Sequence, residues 1–137
     1  MSVQRFRELR VYQDAYEAAG RIFALSKEWP KVEKYALTDQ IRRSSRSVCA
    51  NIAEAWRKRR YENHFVSKLS DADAEAAETR TWLQFGRDCD YLSADSFEEL
   101  DDSYDRICAS LVNMMKDPSP WCGPSSTQEP SIPYDLP

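Results

Sequence analysis

Apolar positions recur along most of the chain at intervals of three and four, the repeat of helices that bury one face. Leu9, Tyr12, Tyr16, Ala19, Ile22, Phe23 and Ser26 keep this period to about Glu28, where Trp29-Pro30 stops it. The residue before a proline is pushed out of the α region. A second helix is predicted from Glu33 or Tyr35 to about Arg60, with Ile41, Ser45, Val48, Ile52 and Trp56 on its core face. A third runs from about Glu62 to Asp90, with Phe65, Leu69, Ala72, Ala76, Thr79, Leu83 and Gly86 in a heptad-like seam of small residues. A fourth follows Ser93 or Ser96 as its cap and shows Phe97, Leu100, Tyr104, Ile107, Leu111 and Met114. No strand pattern competes. The expected fold is all-α, an antiparallel up-down-up-down four-helix bundle over residues 1–117.

Residues 118–137 differ in kind. They hold six of the seven prolines and no Lys or Arg. Such a segment cannot pack a core alone and is expected to be extended or disordered. Trp121, Ile132, Tyr134 and Leu136 are its apolar points; it is either idle and self-packed or an extended peptide for a partner.

The second helix is the most informative element. On a 100° wheel, Arg42, Arg46, Arg57 and Arg60 fall on a face beside the apolar one. Ser47, Asn51, Glu54 and Lys58 form a third, polar column. Pairs of Asp39 with Arg43 and of Glu54 with Lys58 have the favourable i,i+4 order. The run Arg57, Lys58, Arg59, Arg60 also suits the negative end of a helix dipole, so helix termination is its plainest reading. Three readings of the arginine stripe stay open: a solvated face, a subunit interface and a phosphate-binding track.

Charge bears on that choice. Residues 1–60 hold 14 Lys/Arg against 7 Asp/Glu, and residues 61–137 hold 5 against 16. The halves are thus +7 and −11 within a net charge of −4. A basic face and an acidic face on one molecule favour contact between copies, and they argue against a protein that coats nucleic acid over its whole surface.

Chemistry is sparsely represented. Three glycines cannot build a phosphate loop. The lone histidine, His64, follows Tyr61 at the position where a bundle di-iron motif needs Glu, and no strand-turn elbow exists to expose a serine. Glu75 and Glu78 are read as ion-pair partners for Arg42 or Arg43. Cys49, Cys89, Cys108 and Cys122 lack metal spacing, and the three in predicted helices, Cys49, Cys89 and Cys108, read as small buried core residues. No catalytic residue, cofactor or metal is expected. No apolar run is long enough to span a bilayer, and the first residues lack an apolar signal core. A cytoplasmic, non-enzymatic protein is the expectation.

Two motifs carry a resemblance. Phe6, Leu9, Val11 and Tyr12 open the chain, and Gln40-Ile-Arg-Arg is followed by Ser47 and by Asn51-Ile-Ala-Glu. Together with Pro30 and Glu33, and with Glu78-Thr-Arg-Thr-Trp-Leu and Asp90-Tyr-Leu, this resembles the bacterial four-helix bundle proteins encoded in intervening sequences of 23S ribosomal RNA genes. The resemblance spans about residues 6–115. Ser44-Ser45 replace an alanine pair, Ala55 replaces a glycine, residues 57–60 are unusually basic, and the proline-rich tail lies outside the pattern. That family is similar to the accessory protein of diversity-generating retroelements, a five-fold barrel that binds reverse transcriptase and nucleic acid. The resemblance implies a ring-shaped homopentamer and an RNA- or DNA-associated accessory role. It supplies no catalytic activity. Gln40, Ser47, Asn51, Glu54 and Glu78 enter as motif residues, and Arg42, Arg43, Arg46, Arg57, Lys58, Arg59 and Arg60 as nucleic-acid or interface residues. The alternative is a protein-interaction scaffold using the acidic face and the tail.

Overall fold

A computed structural model describes residues 3–123. A 3₁₀ turn at Phe6–Glu8 leads into α1 (Arg10–Ser26), α2 (Asp39–Arg57), α3 (Glu62–Asp88), α4 (Ala94–Lys116) and one short turn of helix, α5 (Ser119–Cys122). No strand occurs among the described residues. Consecutive long helices run antiparallel, and cross-links fix the order. Arg42 at the start of α2 reaches Ser26 at the end of α1. Glu54, late in α2, meets Lys68, early in α3. Arg80 of α3 forks onto Asp101 with bonds of 2.9 and 3.1 Å and adds Asp105, both in the first half of α4. Arg21 of α1 meets Glu99 of α4, which closes the four-helix circuit.

The predicted seams of α2 and α3 are all buried. Ile41, Val48 and Ile52 are inaccessible, as are Phe65, Ala72, Ala76, Thr79 and Leu83. In α4, Leu100, Tyr104, Ile107, Leu111 and Met114 are buried, and Phe97 is half-buried at the edge. Small residues in the middle of α3 let α2 approach closely. At the other end of α3, Gly86 makes room for the loops instead: a Cβ there would stand 3.2 Å from Leu92 and 3.3 Å from Trp29. The backbone then turns through Asp90 at φ 64°, and the amides of Tyr91 and Leu92 donate back to the Gly86 carbonyl. Ser93 caps α4 by accepting from the Ser96 amide at 3.0 Å.

The first helix corrects the sequence reading. Its core stripe is Val11, Ala15, Ala18 and Ile22, with Leu9 before it and Ser26 at its end. Tyr12 and Ala19 are only half-buried, and Tyr16 and Phe23 are exposed. Both stripes satisfy the helical period, and they lie one residue, about 100°, apart. The aromatic stripe outweighed the small-residue stripe in the sequence, but the close packing of α1 on its neighbours requires small side chains.

The second helix also differs at its ends. A 3₁₀ turn at Lys31–Glu33 and a wide π turn at Lys34–Thr38 precede it, so regular α winding starts at Asp39. It ends at Arg57, and residues 58–61 form a turn. Of the cysteines, Cys49 is buried, Cys108 and Cys122 are intermediate, and Cys89 is exposed, contrary to the expectation of a core thiol. Burial pushes the Cys49 thiol up to about 11. At the end of α4 the chain is helical rather than extended over Ser119–Cys122, and Trp121 and Cys122 rest on the core. The extended or disordered state expected for the rest of the tail lies outside the described residues. No helix among the described residues is long and apolar enough to cross a membrane.

Candidate nucleic-acid interface

The arginines of α2 share a face on a wheel, yet their surroundings divide them. Arg42 is locked against α1. Its Nε donates to Ser26 Oγ at 2.9 Å, and its guanidinium lies 4.6 Å from the centre of the Phe23 ring. Arg46, one turn on, is exposed and sits 5.4 Å from the same ring. Arg43 turns the other way, toward α3, and donates to Glu78 at 3.2 Å. The expected pair of Asp39 with Arg43 is replaced by this cross-helix contact.

Glu78 is a junction. The same oxygen, Oε2, accepts from Arg43 Nη2 and from Trp82 Nε1, each at 3.2 Å. Gln40 Oε1 accepts from Arg43 at 3.5 Å. Gln40, Arg43, Glu78 and Trp82 therefore tie α2 to α3. Glu75 stands apart from them, with a buried Oε1 that meets no hydrogen-bond donor among the described residues. Glu54 does not pair with Lys58 as its spacing suggested. It accepts from Lys68 Nζ at 2.9 Å, and this hydrogen bond raises the Lys68 pKa above its ordinary value. Asn51 donates to the Ser47 carbonyl at 2.9 Å and to its hydroxyl at 3.2 Å, a local bond along the same helix edge. The motif residues thus build inter-helix and helix-edge contacts.

The end of α2 is different. Arg59 folds back, donates to the Trp56 carbonyl at 2.8 Å and stacks 3.8 Å from the Trp56 ring centre. It satisfies a helix-terminal carbonyl, the role expected of a base at that end. Arg57 and Arg60 are exposed and Lys58 half-buried, and among the described residues no carboxylate pairs with any of the three. The turn at Phe6–Glu8 packs on α2 and brings the exposed Arg5 and Arg7 to the same end of the bundle. The result is a basic end. The opposite sign gathers on α4, where Asp95, Glu98 and Asp102 are exposed.

Sequence reasoning missed two partners. Phe23 is the shared seat of Arg42 and Arg46 at the surface, whereas its helical spacing points to the core. Lys68 is the partner of Glu54; only the antiparallel register of α2 and α3 brings them together, and periodicity within one helix carries no such signal.

Comparison with known proteins fits this geometry. No curated protein matches the chain. A crystal structure from Bacteroides thetaiotaomicron, of a protein of unknown function from the S23 ribosomal protein family, superposes with a TM-score of 0.70 at 31% identity. The match covers 77% of this chain and 95% of that one. The family model of the 23S rRNA-intervening sequence protein matches residues 7–113, which is the whole four-helix circuit with its α2 motif and basic end; the chain belongs to that family.

Proposed function

We propose that the protein is a non-enzymatic, nucleic-acid-associated accessory factor that works as a ring-shaped homo-oligomer, a pentamer, in the cytoplasm. The observation that carries the reading is the basic end of the bundle. Arg57, Lys58 and Arg60 have no carboxylate partner among the described residues, whereas Arg43, Arg21 and Arg80 do. Cations left unpaired at one end of a net acidic molecule suit phosphates, which supply most of the affinity in nucleic-acid binding. Arg42 and Arg43 are spoken for within the bundle, so the phosphate track is shorter than the full stripe. Repetition around a ring multiplies it. Opposite charge on the α2 end and on α4 supports assembly of copies.

The decisive experiment measures binding to structured RNA as a function of salt, with light scattering alongside. The double change Arg57→Glu, Arg60→Glu should remove most binding and lower the slope of log affinity against log salt by about 1.5. An unchanged slope and affinity would end the nucleic-acid reading. A second reading, a scaffold for a reverse transcriptase or another protein, rests on the exposed carboxylates of α4. It predicts a partner lost on Glu98→Lys, Asp102→Lys, and no effect of the α2 changes.

A further inference from the structure

The outer stripe of α1 is an aromatic ridge that no helix covers among the described residues, with Lys27, Arg42 and Arg46 over Phe23 at its far end. Phe6 meets Tyr12 edge-on at 5.0 Å, and Tyr12 stacks on Tyr16 at 5.9 Å. Tyr16 is 66% exposed and Phe23, farther along, is 37% exposed. Against this ridge α2 sets only small side chains, Cys49, Ala50 and Ala53, and the two helices enclose a groove of about 500 Å³. A Cβ at Gly20 would meet nothing within 4 Å, so the floor is open there. Arg46 stands at one rim. A second hollow of about 540 Å³ flanks Tyr12 and Tyr16 on their other side, lined by Arg7, Gln13 and Glu17. Contiguous apolar surface of this kind marks a binding site.

We propose that this groove is the docking site of residues 130–136 of the same chain. Three observations carry the assignment. The first is chemistry: aromatic-lined grooves take proline-rich peptides, and the segment reads Pro130-Ser-Ile-Pro-Tyr-Asp-Leu136. The second is charge. Residues 124–137 hold Glu129 and Asp135 and no Lys or Arg, and Arg46 borders the groove. The third is reach. The described chain ends at Gly123, just past the close of α4, and antiparallel order puts that point at the Phe6 end of the bundle. A linker of six residues, the length of 124–129, can reach about 20 Å, enough for two helix spacings of about 10 Å each. Residues 130–136 then span about 22 Å, and the ridge from Tyr12 to Phe23 measures about 16 Å. Entry beside Phe6 carries Asp135 to the Arg46 end.

The test uses the full chain. Chymotrypsin cleavage after Tyr134 is followed by mass spectrometry in the unaltered protein, in Tyr16→Ala with Phe23→Ala, and in Phe85→Ala as a control at an exposed aromatic of α3. The groove variant should be cut about tenfold faster than the other two, because cleavage follows the undocked population. Circular dichroism melts verify that all three are folded. In the reciprocal measurement, hydroxyl-radical oxidation of Tyr16 should rise several-fold when Pro130→Ser, Ile132→Ser and Pro133→Ser are combined. Equal cleavage in all three proteins, with Tyr16 oxidation indifferent to the tail changes, overturns the proposal. So does protection of Tyr16 that depends on protein concentration and not on the tail, which would make the occupant a second copy.

Discussion

The Thr79 hydroxyl of α3 donates to Ser44 Oγ of α2 at 2.8 Å, and both residues are inaccessible to solvent. Ser44 in turn donates to the Ile41 carbonyl at 3.3 Å. The most intimate helix pair of the bundle is thus pinned by a polar contact inside an apolar seam. A buried pair of this kind favours one register, because sliding either helix by a turn loses the cross-helix bond and leaves each hydroxyl only the carbonyl of its own helix.

Thr79→Val should therefore cost about 1 kcal/mol, with chemical denaturation as the readout. Ser44→Ala should cost less, since Thr79 keeps the Glu75 carbonyl within 2.9 Å as an acceptor. The two changes share one bond, so their combined cost should fall short of the sum. Full additivity would mean that the hydroxyls do not interact.

Much of this seam was legible. Thr79 and Ser45 stood at core positions because helical period alone placed them there. Ser44 was visible only as a departure from a family alanine, and its partner lies 35 residues away. The same limit explains the arginine stripe. A wheel shows that Arg42, Arg46, Arg57 and Arg60 share a face, but not that Ser26 and Phe23 occupy the near half of it. Likewise α1 offered two stripes of equal period, and only the packing of α2 and α4 against Val11, Ala15, Ala18 and Ile22 decides between them.

Cys49 makes stability depend on alkaline pH. Desolvation raises its thiol from 9.0 to about 11, so the folded state holds a proton that the unfolded state has released. The contribution is fully present below pH 9 and falls as pH rises toward 11. The loss from this group should reach about 2 kcal/mol by pH 11. Melting temperatures from pH 8 to 11 should fall less steeply in Cys49→Ala than in the unaltered chain. The exposed Cys89 should react with iodoacetamide at pH 8 while Cys49 does not.

The last prediction separates the two halves of the α2 stripe. Arg42 bonds Ser26, which itself donates to the Phe23 carbonyl at 3.1 Å and ends α1. Its guanidinium also covers the Phe23 ring. Arg42→Ala should cost about 1–2 kcal/mol, the worth of a charge-assisted hydrogen bond plus a partly exposed cation–π contact. It should leave the salt slope of RNA binding unchanged, because its guanidinium already has partners inside the bundle. Arg57→Ala and Arg60→Ala should behave in the opposite way. Both are exposed, with Arg60 5.6 Å from the Tyr61 ring centre, so denaturation midpoints should stay within about 0.5 kcal/mol of the parent, and each should flatten the salt slope by about 0.7–0.9. If Arg42→Ala weakens RNA binding as much as Arg57→Ala at equal foldedness, the division between a structural and a phosphate-facing half of the helix is wrong. The whole stripe from Arg42 to Arg60 would then have to be read as one continuous track about 27 Å long.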